Sequence, residues 1–120
     1  MNPVWREHQP IYRQIRSYIV TMILDDVVAG DRPLPSVRAL AAALQVNPLT
    51  VSKAYQDLQA DGFVEARRGL GMFVADDARP RLLAAERAAF LRDEWPELLR
   101  RIEQLELTPA DLFQGSAQLA

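Results

Sequence analysis

Apolar side chains recur at helical spacing near the start of the chain. Ile11, Ile15, Tyr18, Ile19, Met22 and Ile23 fall at i, i+4, i+7, i+8, i+11 and i+12, one stripe of an amphipathic helix. Pro10 suits its beginning, and the breaker-rich run Gly30-Asp31-Arg32-Pro33-Leu34-Pro35 ends it after Asp25. A second helix is predicted from a Ser36 cap, with Val37, Leu40, Ala41 and Leu44 facing inward and further alanines adding propensity. After a short turn, Asn47 as N-cap and Pro48 at the first helical position open a third helix. Its inward face is Val51, Tyr55 and Leu58, and Gly62 closes it.

Beyond Gly62 the periodicity shortens. Phe63-Val64-Glu65-Ala66 and Met72-Phe73-Val74 flank the glycine-containing Arg67-Arg68-Gly69-Leu70-Gly71, the pattern of a β-hairpin. Asp76-Asp77 ends that module. The rest reads as helix again, with Pro96 demanding a kink or restart near Trp95. Thr108-Pro109-Ala110-Asp111 opens a last short helix. The fold class expected is mainly α with a small β-hairpin. Residues 9–77 form a winged helix-turn-helix, and residues 78–120 form a helical dimerisation region.

That element order has a chemical use. The third helix of such a unit lies in the DNA major groove with its first turns at base edges and phosphates. The second helix braces it, and the hairpin reaches the flanking backbone or minor groove. Charge modifies the picture. The chain has a formal net charge of −2, which by itself speaks against nucleic acid. The distribution differs: residues 32–74 hold five basic side chains against three acidic ones, and residues 75–120 six against nine. A mildly basic middle beside an acidic tail keeps DNA as a candidate partner, because affinity follows local charge near phosphates.

The motifs Pro-Ile-Tyr-Arg-Gln-Ile (10–15), Leu-Pro-Ser-Val-Arg-Ala-Leu-Ala (34–41), Asn-Pro-Leu-Thr-Val-Ser-Lys-Ala-Tyr (47–55), Leu-Gln-Ala-Asp-Gly-Phe-Val-Glu (58–65) and Arg-Arg-Gly-Leu-Gly-Met-Phe-Val (67–74) resemble the GntR family of bacterial regulators. The Asn47-Pro48 pair, Ala54-Tyr55 and the short C-terminal region are similar to its YtrA-like subfamily. The resemblance implies a dimeric repressor on a pseudo-palindromic operator, controlling its own operon together with transporter genes. A cytoplasmic location is expected from the lack of cysteine, of a membrane-length apolar run and of a signal-peptide core. The resemblance also implies DNA contacts at Arg38 in the second helix, at Pro48, Leu49, Thr50 and Ser52 in the first turns of the third, and at Arg68-Gly69 at the wing tip. Ser36 and Asn47 at the helix caps, Lys53 on the third helix and Arg67 beside the wing tip are further candidate DNA contacts. Many relatives carry arginine where this chain has Pro48 and Ser52, so base reading falls to Thr50, to Leu49 against thymine methyls, and to DNA shape.

Catalysis is not expected. The chain has no cysteine and one histidine, His8, and its acid pairs are adjacent in sequence, so they point apart on a helix. Neither a metal nor a cofactor is expected. No run reaches the roughly 18 apolar residues of a membrane span, and Met1–Pro10 lacks the apolar core of a signal peptide. The tail carries more large apolar side chains than so short a segment can bury alone. Leu83, Phe90, Leu91, Trp95, Leu98, Leu99, Ile102, Leu105, Leu112 and Phe113 are therefore expected at a homodimer interface. The alternative reading is a winged-helix module that binds protein and not DNA.

Overall fold

A computed structural model describes residues 9–25 and 31–119, with backbone only for 115–119. The expectations placed on Met1–His8, Asp26 and Gly30 lie outside the described residues. The chain divides into two compact units, residues 1–83 and 84–120.

The first unit opens with α1 (Ile11–Leu24). Pro10 precedes it with extended backbone, and its carbonyl accepts from Arg13 and Gln14. The expected stripe is only partly inward: Ile15, Ile19 and Ile23 are buried, Ile11 is exposed, and Tyr18 and Met22 are half-buried. Val20 and Gln14 take the remaining inward positions. Gln14 is tolerated there because its amide donates to the Gln9 carbonyl at 2.9 Å, leaving no stranded polar group.

Helix α2 (Val37–Leu44) starts where Ser36 Oγ accepts from the Ala39 N–H at 3.0 Å. Gln45 ends it in the left-handed region at φ 56°. There Val46 N–H reaches Ala41 O and Gln45 N–H reaches Ala42 O, a Schellman closure. Helix α3 (Pro48–Ala60) begins with Asn47 Oδ1 accepting from the Leu49 N–H at 2.8 Å. Its end repeats the same closure, now with Gly62 at φ 78°: Phe63 N–H reaches Leu58 O and Gly62 N–H reaches Gln59 O.

Strands β1 (Val64–Arg67) and β2 (Gly71–Val74) pair antiparallel, with Val64 opposite Val74 and Arg67 opposite Gly71. The paired segment begins one residue later and runs one residue further into the turn than the apolar pattern indicated. The three-residue tip closes with Leu70 N–H on Arg67 O at 2.9 Å, and Gly69 takes φ 77°, a conformation open to glycine at no steric cost. Leu34 N–H donates to Met72 O at 2.7 Å, tying the segment before α2 to the hairpin.

The core joins Ile15, Ile19, Leu40, Leu44, Val51, Tyr55, Leu58 and Val64. It also takes in Ala78 and Leu82, from the start of α4 (Ala78–Ala89). Arg79 donates to Leu24 O at 3.0 Å and Arg81 to Gly62 O at 2.6 Å, so the first turn of α4 closes the C-terminal ends of both α1 and α3. The winged unit thus holds more of the chain than residues 9–77.

In the second unit, α4 runs into a single π-helical turn (Phe90–Glu94) and then α5 (Trp95–Gln104). The Trp95 N–H bonds to Phe90 O, five residues back. This is the physical answer to Pro96, which has no N–H and whose ring crowds the carbonyl of Arg92; a wider turn makes room without breaking the helix. Helix α6 (Pro109–Leu119) starts with a capping box. Asp111 N–H donates to Thr108 Oγ at 3.2 Å, while the Thr108 N–H and hydroxyl donate to Asp111 Oδ2 at 2.8 and 2.9 Å. Those donors hold the Asp111 carboxyl below its usual pKa.

Candidate nucleic-acid interface

The start of α3 is set by its sequence. The Asn47 cap and Pro48 fix the first turn, while Val51, Ala54, Tyr55 and Leu58 anchor the opposite face in the core. What remains outward is Asn47, Pro48, Leu49 and Lys53, exposed, with Thr50 and Ser52 half-buried. Leu49 is the extreme case at 77% exposure. At that exposure Leu49 contributes nothing to the core, and its methyl groups lie on the same outward face as Lys53. The helix is held in place from below: the buried Tyr55 hydroxyl donates to Pro35 O at 2.6 Å. Burial pushes that phenol's pKa up to about 12.

The other expected positions divide into two kinds. Ser36 and Asn47 spend their side-chain oxygens on helix caps. Arg38 is exposed on α2, and Arg68 is exposed at the wing with Gly69 beside it. Around Gly69 nothing lies within 4 Å of where a Cβ would sit, so its backbone is open to close approach. Arg67 differs from its neighbour. Its guanidinium lies 4.2 Å above the Phe73 ring and bonds Glu65 Oε1 through Nε at 3.1 Å and Nη2 at 2.9 Å. Two adjacent arginines that look alike in the sequence are thus a stacked, paired strut and a projecting cation.

Two outward residues received no role from sequence reasoning. Leu70, at 67% exposure, sits at the wing tip between two glycines with positive φ. Tyr12, from the first turn of α1, is half-buried and lies under Lys53, whose Nζ is 3.9 Å from the ring centroid. Tyr12 stands off the apolar stripe of its helix, and that aromatic misfit was the available signal. Its neighbour Arg13 donates to the Tyr12 hydroxyl at 3.4 Å.

In the second unit, Phe90, Leu91, Trp95, Leu98, Leu99, Leu105, Leu112 and Phe113 are exposed, and Ile102 is half-buried. Leu83, at the end of the first unit, is also exposed. The Phe90 and Trp95 rings meet across the π turn at 6.5 Å between centroids. On α5, Trp95, Leu98, Leu99 and Ile102, continued by the C-cap Leu105, make one face, opposite Glu97, Arg100, Arg101, Glu103 and Gln104. Among the described residues no group of His, Cys, Asp and Glu is placed to hold a metal ion, and no helix is long and apolar enough to cross a membrane.

Residues 11–74 match the family described as bacterial regulatory proteins, gntR family. The chain is 30% identical over 116 residues to the uncharacterized HTH-type transcriptional regulator YhcF of Bacillus subtilis, covering 96% of this chain and 93% of that protein. It is 38% identical over 78 residues to the HTH-type transcriptional repressor YtrA of the same species, covering 65% and 60%. Among solved structures, a GntR family transcriptional regulator from Listeria monocytogenes superposes with a TM-score of 0.68 at 24% identity, covering 95% of this chain and 98% of that one. The DNA-binding domain of AraR, in complex with operator ORR3, superposes with a TM-score of 0.54 at 29% identity, covering 62% and 92%.

Proposed function

Because the chain belongs to the GntR family of bacterial regulatory proteins, we propose that this DNA-binding transcription regulator is a dimeric repressor of its own operon. The observation that carries the reading is the outward face of α3. It is capped and core-anchored, with Leu49 and Lys53 exposed and Thr50 and Ser52 half-buried, in the same unit as a wing that projects Arg68 next to an open glycine. AraR's DNA-binding domain, which shares this fold, is solved on an operator, and YtrA is named a repressor.

In this reading α3 enters the major groove and Arg68-Gly69 meets the adjacent backbone or minor groove, with Arg38 and Lys53 on phosphates. Asn47, Pro48 and Ser36 act by shaping the helix ends. Thr50 and Leu49 read base edges, Leu49 through thymine methyl groups. Two copies join through the apolar faces of residues 83–113. That sets two α3 helices about 34 Å apart on a pseudo-palindromic site. The protein works in the cytoplasm, where its operator lies, without a cofactor, and the controlled operon carries transporter genes.

The test is a gel shift with the duplex upstream of the protein's own gene, repeated over a salt series. If a dimer neutralises about six phosphates, log K against log salt has a slope near about −5. Binding that ignores salt, or its absence on that duplex, overturns the reading and favours a winged module that binds protein.

A further inference from the structure

Tyr12 stands in the first turn of α1, and its ring faces a cation on another helix. Lys53 Nζ lies 3.9 Å from the ring centroid, while the lysine remains exposed on α3. Among the described residues no carboxylate pairs with that ammonium, although Asp57 follows one turn later on α3. A lysine carries a long, freely rotating stem, and fixing it on a ligand costs entropy. An aromatic face can pre-set such a chain by attraction to the ring quadrupole. It does so without cancelling the charge, as a carboxylate would. A cation held this way keeps its net charge for a phosphodiester.

We propose that Tyr12 is a positioning residue for DNA binding, its ring holding the Lys53 ammonium ready for a backbone phosphate of the duplex. The inference rests on the reading of α3 as the groove-entering helix and adds a residue of α1 to the interface. Tyr12 acts through Lys53 and has no need to touch DNA itself.

The test is a set of variants of the full chain, read by fluorescence anisotropy on the upstream duplex over a salt series. Tyr12→Phe keeps the ring and binds as the wild type does. Tyr12→Leu weakens binding about two- to fivefold per chain, the equivalent of an exposed cation–π contact. In a Lys53→Ala background, Tyr12→Leu has no further effect. Tyr12→Glu still reaches Lys53 but neutralises it, and it lowers the salt slope by about one per chain, as Lys53→Ala does. A readout without DNA is the Lys53 ε-methylene proton shift, moved upfield by the ring in the wild type and Tyr12→Phe, and released in Tyr12→Leu. Thermal melting of each variant separates lost folding from lost positioning.

Additive losses from Tyr12→Leu and Lys53→Ala, or a Lys53 shift indifferent to the ring, overturn the inference while leaving DNA binding intact. If the wild type itself shows no salt-dependent binding, the functional reading fails and this inference falls with it.

Discussion

The Tyr55 hydroxyl and the Pro35 carbonyl meet at 2.6 Å, joining the middle of α3 to the segment that leads into α2. The contact lies beneath the candidate interface. It uses a core residue to set where the outward face of α3 stands relative to the wing, since Leu34, the neighbour of Pro35, is bonded to Met72 of β2. Removing the hydroxyl leaves a carbonyl that was paired. Tyr55→Phe is expected to lower stability by about 1–2 kcal/mol, measured by chemical denaturation, with a smaller loss of DNA affinity.

Alkaline pH acts on the same group. Its pKa is raised in the folded state to about 12 from an ordinary 10.0, so folding favours the neutral phenol. The contribution is complete below pH 10 and is lost as pH climbs from there towards 12. Two units correspond to at most about 2–3 kcal/mol. Denaturation series at pH 9, 10 and 11 are expected to fall faster for the wild type than for Tyr55→Phe. Parallel curves would show that the phenol is not responsible.

The two wing arginines are expected to separate cleanly. Arg68→Ala lowers the salt slope of duplex binding by about one per chain. Arg67→Ala leaves the slope unchanged and costs a little stability instead, through the lost Phe73 stack and Glu65 pair. Equal slopes for both variants would refute the distinction.

Thr50→Ala is expected to alter which duplexes are preferred more than how tightly the preferred one is held, because base contacts specify while phosphate contacts position. Competition among operator variants, scored as affinity ratios, measures this. A uniform loss across sequences would place Thr50 on the backbone.

Association is tested at the α5 face. Sedimentation of the full chain at micromolar concentration is expected to give a dimer, and Leu98→Glu with Ile102→Glu a monomer that stays folded. A wild-type monomer would remove the proposed partner of that face.

Much of this molecule is legible in its sequence. Caps and breakers are local chemistry: Ser36, Asn47-Pro48, Gly62 and Thr108-Asp111 each satisfy backbone groups within three or four residues. Their positions in the chain therefore already contain the answer. Family motifs marked the candidate interface for the same reason, since the spacing of α2, turn, α3 and hairpin is itself sequential.

Other features required the chain to be folded. Gln45 closes α2 in a left-handed conformation that nothing in its residue type announces; the short turn to Asn47 imposes it. Arg67 and Arg68 are chemically identical, and only hairpin register puts one over Phe73 and sends the other outward. The Tyr12–Lys53 contact spans two helices, and the hold of Arg79 and Arg81 on the ends of α1 and α3 spans longer stretches still. The sequence by itself determined which segments are helix, turn and hairpin, because those choices are settled among near neighbours. Tertiary structure alone decided which charges are free and which are engaged, because that depends on partners the chain brings together only by folding.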